Sequence, residues 1–172
     1  MDRLLFIGDS LIEYFDWEGR FPGHTVYNLG IAGETVGGLK GRLTRILAHI
    51  KPPDKVFIMT GINNLAMGDD DFLGDYRDVV RDISSSYPAA SIYVHSLLPV
   101  LFPYIANEDI RDMNNKLRDM AAQQGSLFIE LHAAFLDEKG RPAATYLLDD
   151  GVHVSDKGYR VWAAEIERLL RG

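Results

Sequence analysis

Five short apolar runs, each followed by a turn and then by a segment of helical periodicity, constrain this chain more than any other feature. They are Arg3–Ile7, His24–Leu29, Lys55–Thr60, Ser91–Leu97 and Leu127–Leu131. A run such as Val56-Phe57-Ile58-Met59 has no polar alternation, so it calls for a strand covered on both faces. The segments between the runs read as helices. The first starts near Leu11 and runs toward Phe15; Gly19 to Gly23 makes a loop after it. The next reaches Ile50 with Leu39, Leu43, Ile46 and Leu47 on its buried stripe, and Pro52-Pro53 stop it. Asp69–Tyr87 opens on acidic residues, Asn107–Gln124 is closed by Gly125, and Ser155 caps a last helix that ends near Leu170. Strands and helices alternating in this way predict an α/β three-layer sandwich: a five-stranded parallel sheet with helices on both faces. No repeat, low-complexity tract or long linker divides the 172 residues, so residues 1–172 read as a single domain.

Parallel topology has a chemical consequence. All strand C-termini lie on one edge of the sheet, where open α/β folds bind their ligands. Ser10, Gly33 and Asn63 each follow a different strand at that edge, and His153, beside the start of the last helix, can reach the same place. Ser10 lies in Gly8-Asp9-Ser10-Leu11, where a strand hands over to a helix whose free N–H groups favour negative charge. Taken alone, Asp9 and Ser10 fit helix capping better than catalysis.

For acyl transfer a serine needs a base, a group that orients the base, and donors for the tetrahedral oxyanion. Ser10 can attack, His153 can take its proton and pass it to the leaving group, and Asp150 can orient the imidazole across a turn braced by Gly151. Donors for the oxyanion would be the N–H of Ser10, the N–H of Gly33 and the side-chain amide of Asn63. Glycine at 33 lets a substrate oxygen approach the backbone. Asp149 rivals Asp150 as the acid, and His132, at the end of the fifth strand, is the one substitute base. His24 and His49 fall near the opposite edge and read as surface residues, and His95, inside a strand, reads as a hydrogen-bonded core residue. Asn63, Asn64, Gly30 and Gly33 also fit plain turn roles.

Charge and composition narrow the partners. A net charge of −7 without a basic cluster argues against nucleic acid or an acidic membrane. With no cysteine, neither a disulfide nor a thiolate metal site is available, which fits a reducing compartment. No apolar stretch approaches the roughly 20 residues that span a bilayer, and Met1-Asp2 run directly into the first strand without a signal-like segment, so a cytoplasmic protein is expected. No metal or cofactor is expected. Gly30-Ile31-Ala32-Gly33 lacks the full dinucleotide fingerprint. Asp9-Ser10-Leu11 also matches the phosphopantetheine attachment sequence of acyl carriers, but those are helical bundles and this chain carries five strand signals. A noncatalytic ligand-binding module is the remaining non-enzyme alternative.

Four blocks together resemble the GDSL family of SGNH hydrolases, esterases and lipases with a flavodoxin-like sheet: Gly8-Asp9-Ser10-Leu11, Gly30-Ile31-Ala32-Gly33, Gly61-Ile62-Asn63-Asn64 and Asp150-Gly151-Val152-His153. They stand in the family's order and cover the chain from end to end. The resemblance implies Ser10 as nucleophile, Asp150 and His153 completing the triad, and Gly33 and Asn63 in the oxyanion hole, with a small-molecule ester as substrate. Asn64 departs from the family's usual aspartate. Asn-Asn here, like Leu97-Leu98-Pro99, is similar to the platelet-activating-factor acetylhydrolase catalytic subunits and their bacterial relatives, which implies short acyl groups, acetyl above all; lysophospholipids and acyl thioesters are the alternatives on the same site. Little sequence is left for a lid, so a shallow open cleft is expected. Leu65–Met67 and Leu101–Ile105 are the apolar segments nearest the catalytic edge. They fit an acyl pocket, and equally helix-packing loops or a contact between two copies of the chain.

Overall fold

In the computed structural model, which describes residues 1–171, all five apolar runs form strands and every pairing is parallel. The strands are β1 (Arg3–Gly8), β2 (Thr25–Gly30), β3 (Lys55–Met59), β4 (Ser91–His95) and β5 (Leu127–Ile129), in the order β2-β1-β3-β4-β5. The helices are α1 (Ser10–Glu13), α2 (Trp17–Arg20), α3 (Val36–His49), α4 (Ile62–Ala66), α5 (Leu73–Ser86), α6 (Asn107–Gln123) and α7 (Asp156–Arg171). This is the α/β sheet that the alternation of segments predicts, not the helical bundle of a carrier.

Side chains alternate across each strand, so the two faces take different fillings. On one face Phe6 stacks on Trp17 and Phe57, Phe57 stacks on Tyr93, and Trp162 of α7 meets Trp17 edge-on. Leu5, Ile7, Val56 and Ile58, all without exposed surface, point the other way. There α3 packs on α5 and α5 on α6. Register aligns the ends: Gly8 pairs with both Gly30 and Met59. The turns after β1, β2 and β3 therefore begin at one level. No described helix is long and apolar enough to cross a membrane.

Several boundaries differ from the sequence reading, most of them where a side chain captures the backbone. β4 stops at His95 because the Asn114 side chain takes both the N–H and the carbonyl of Leu97. β5 stops at Ile129 because the N–H groups of Leu131 and His132 turn to Ser96 Oγ. α5 begins at Leu73 rather than Asp69, since Asp69 accepts from Asn64 Nδ2 and from the N–H of Asp71 and so forms a turn of its own. The expected turn at Gly61–Asn64 winds into α4, and α2 forms where Asp16 caps it through the N–H of Gly19.

Candidate active site

Position 10 is decided by its neighbour. Asp9 is the cap of α1, its Oδ1 accepting from the N–H of Leu11 at 3.0 Å, so Ser10 becomes the first helical residue and its hydroxyl is left for other work. A four-residue helix leaves its carbonyls without helical partners. Here side chains supply them. The Tyr159 hydroxyl donates to Leu11 O, the Trp17 indole N–H to Ile12 O, and Asn28 Nδ2 to the carbonyls of Ile12, Glu13 and Phe15. Ser10 is thus fixed by residues from β2, α2 and α7 while being only 6% exposed.

The Ser10 hydroxyl lies 3.0 Å from His153 Nε2, and on the far side of the ring His153 Nδ1 lies 2.5 Å from Asp150 Oδ2. The other carboxylate oxygen of Asp150 accepts the N–H groups of Val152 and His153, both at 2.9 Å. Burial opposes the charge on Asp150, but the imidazole and the two N–H groups outweigh it and hold its carboxyl down to about 2. Asp149 makes no such contact among the described residues, and the hydrogen bonding selects Asp150 of the two. Gly151 is required where it stands. Its φ is +73°, and a Cβ there would lie 2.8 Å from the Leu101 carbonyl carbon. The N–H of Leu101 donates to its oxygen and ties the turn to the segment after β4.

The remaining histidines separate on geometry. His95 is fully buried with Nδ1 donating to Ile58 O and Nε2 accepting from Trp162; burial pulls its pKa down to about 4. His132 is nearly buried just beyond β5, its pKa also lowered by burial, and its Nε2 has no hydrogen-bond partner among the described residues. His24 Nδ1 accepts from the N–H of Asp2, and His49 Nδ1 donates to Arg45 O. Only His153 reaches Ser10 among the described residues.

Gly33 takes φ +75°, and nothing lies within 4 Å of where a Cβ would be. No protein acceptor takes its N–H, or that of Ser10, among the described residues. Asn63 Nδ2 donates one proton to Glu34 O at 2.9 Å, leaving the second free. Asn64 is structural: Oδ1 accepts from the N–H of Val36 and Nδ2 donates to Asp69. Beside Asn63 and His153 opens a cavity of about 260 Å³ walled by Ile62, Ala66, Phe102, Ile105 and Val152. Both apolar segments singled out in the sequence contribute to it, the first through Ala66 alone. A larger hollow of about 400 Å³ between Leu101 and Arg141 holds neither serine nor histidine. Among the described residues no three His, Cys, Asp or Glu side chains gather as a metal site.

The family description "GDSL-like lipase/acylhydrolase" matches residues 6–161. The chain belongs to this family. It is 32% identical over 101 residues to the platelet-activating factor acetylhydrolase IB subunit alpha2 of Gallus gallus, a match covering 56% of this chain but only 44% of that protein. The chain therefore spans less than half the length of the curated relatives it matches. Among solved structures, one from Streptococcus pneumonia designated a platelet activating factor superposes with a TM-score of 0.86 at 26% identity, covering 97% of this chain and 83% of the other. Axe2, an acetylxylan esterase from Geobacillus stearothermophilus, superposes with a TM-score of 0.76 at 25% identity, covering 97% and 93%. A lipase/acylhydrolase from Enterococcus faecalis shares the fold at 19% identity, with a TM-score of 0.81 over 100% and 96%.

Sequence reasoning missed four contributors to the site. Tyr14, 58% exposed, lies against the His153 ring at 5.3 Å between centroids. Glu13 accepts the N–H of Ala32, and Arg42 grips Glu34. None belongs to a motif block, and no short-range spacing announces them.

Proposed function

We propose that this GDSL-family protein is a serine esterase that hydrolyses short-chain acyl esters, acetyl esters above all. The reading rests on one observation, the continuous line from Asp150 through His153 to the Ser10 hydroxyl. Ser10 Oγ bonds to the ester carbonyl carbon as its proton passes to His153 Nε2, and the carbonyl π pair moves onto oxygen. The N–H of Ser10, the N–H of Gly33 and the free proton of Asn63 Nδ2 receive that oxyanion. When the pair returns, the bond to the leaving alkoxide breaks and His153 gives it the proton. Water, deprotonated by the same imidazole, then repeats the sequence on the acyl-Ser10 ester and releases the acid. Asp150 remains ionised throughout and holds the ring with Nε2 toward Ser10.

Preference for small acyl groups is supported by the Asn63-Asn64 pair, by the acetyl-directed names of two relatives, and by the small cavity of about 260 Å³ beside His153. Because one five-stranded sheet precedes the turns of Ser10, Gly33 and Asn63, and His153 reaches Ser10 from the loop before α7, the chain is taken to act as one hydrolase domain on a small-molecule ester, and the lack of cysteine supports a cytoplasmic setting. Hydrolysis of a series of p-nitrophenyl esters tests the reading. Acetate should be turned over faster than decanoate; the reverse order would defeat the acyl-length assignment, and no turnover of any ester would defeat the activity.

A further inference from the structure

Gly33 presents its N–H from an exposed turn, and no acceptor takes that N–H among the described residues. Its direction is set by the residues on either side. On one side the N–H of Ala32 donates to Glu13 Oε2 at 2.6 Å. On the other, Glu34 is fastened at both ends. Its carbonyl accepts from Asn63 Nδ2, and its carboxylate takes a bidentate grip from Arg42, Nε to Oε1 at 2.6 Å and Nη2 to Oε2 at 2.7 Å. Arg42 Nη2 also donates to Leu29 O at 2.7 Å, the last carbonyl but one of β2. The two side chains are 12% and 7% exposed, so this pair is nearly removed from solvent.

We propose that Arg42 and Glu34 are positioning residues for the oxyanion donors, one ion pair setting both the Gly33 N–H and the Asn63 amide. The inference rests on the esterase reading of the site. A nearly buried ion pair gains little over apolar packing of the same volume, so stability alone gives no reason for it. What the guanidinium fork supplies is direction. It fixes two carboxylate oxygens and a strand carbonyl in one plane, which a flexible ammonium cannot do. Glu34 then stands at a set distance from the end of β2, and its carbonyl faces Asn63.

The test measures kcat and KM on p-nitrophenyl acetate for Arg42→Lys and Glu34→Gln, alone and combined with Asn63→Ala, with thermal melting to establish folding. A donor displaced by under an ångström should lower kcat by about 10- to 100-fold while KM moves less than about threefold. In the Asn63→Ala background, where one of the two donors is already gone, the same change should cost markedly less. A folded Arg42→Lys with kcat within about twofold of the parent, or a loss equally large in both backgrounds, overturns the proposal. Should Arg42→Lys fail to fold, Glu34→Gln, which keeps the backbone carbonyl, carries the same criteria. Amide ¹H–¹⁵N spectra give a readout independent of activity: the Gly33 N–H and Asn63 side-chain signals should shift in either variant, and unmoved signals refute it. Ser10→Ala retaining turnover would defeat the esterase reading instead, and the spectra would then decide the positioning claim alone.

Discussion

The two halves of the site are built in opposite ways. Around Ser10 the chain is buried and held from a distance: Asp9 has no exposed surface, and the nearest supports, Asn28 and Tyr159, come from β2 and α7. Around His153 the turn is open and supports itself: Asp150 is about half exposed, and it holds the ring and two N–H groups across only three residues. The difference teaches where precision comes from in each case. A serine on a four-residue helix has too few local bonds to stay in place, so residues from distant elements must hold it. An imidazole on an Asp-Gly-X-His turn can be oriented locally, provided something ties the whole turn to the body, as Leu101 does through Gly151.

That contrast can be broken by substitution. Ser10→Ala should abolish turnover, a loss of about 10⁴ or more in kcat, while the melting temperature stays near that of the parent, because Asp9 and not Ser10 caps the helix. Retained activity would remove Ser10 from the chemistry. Asp150→Asn should come next, lowering kcat by about 10³–10⁴ by favouring the wrong imidazole tautomer. Asp149→Asn, measured beside it, should leave the rate nearly unchanged, and a comparable loss there would reassign the acid. Asn63→Ala should cost about 10²–10³ in kcat, the worth of one oxyanion donor; a loss below about tenfold would make Asn63 a loop residue only.

The effect expected at Asp9 falls on stability and not on rate. Burial pushes its carboxyl up to about 7, against the hydrogen bond from Leu11 and the nearby His153. The folded protein therefore holds a proton that the unfolded chain, with an ordinary carboxylate near 4, has released. Stability from this group is complete below the unfolded pKa and is lost as pH rises toward 7. Asp9→Asn keeps an acceptor for Leu11 and removes the titration, so the variant should gain on the parent by a few kcal/mol between pH 4 and pH 8 in denaturant unfolding. Parallel pH profiles for the two proteins would show that Asp9 is not the buried acid described here.

Much of this arrangement is legible without coordinates, and what is legible shares one property: it depends on neighbours in sequence. Apolar runs and helical stripes are short-range patterns, so all five strands and the long helices are found, with errors only at their ends. Those ends moved where a side chain from elsewhere captured the backbone, as Asn114 does at Leu97 and Ser96 at Leu131. Asp149 and Asp150 both stand within four residues of His153, so the spacing offers the pairing, and the hydrogen bonds of the turn choose Asp150.

By itself the sequence determined the order of the strands and long helices, the sheet edge where Ser10, Gly33 and Asn63 follow their strands, and a pair of adjacent acids, Asp149 and Asp150, within reach of His153. Tertiary structure alone decided that Asp9 caps so that Ser10 is free, that Asp150 and not Asp149 meets His153, that His132 stays without a link to Ser10, and that Arg42 grips Glu34 behind the Gly33 turn. The reason is physical. Periodicity and turn chemistry are written within a few residues, whereas which polar group satisfies which buried partner is settled only once the sheet has brought distant segments within 3 Å of each other.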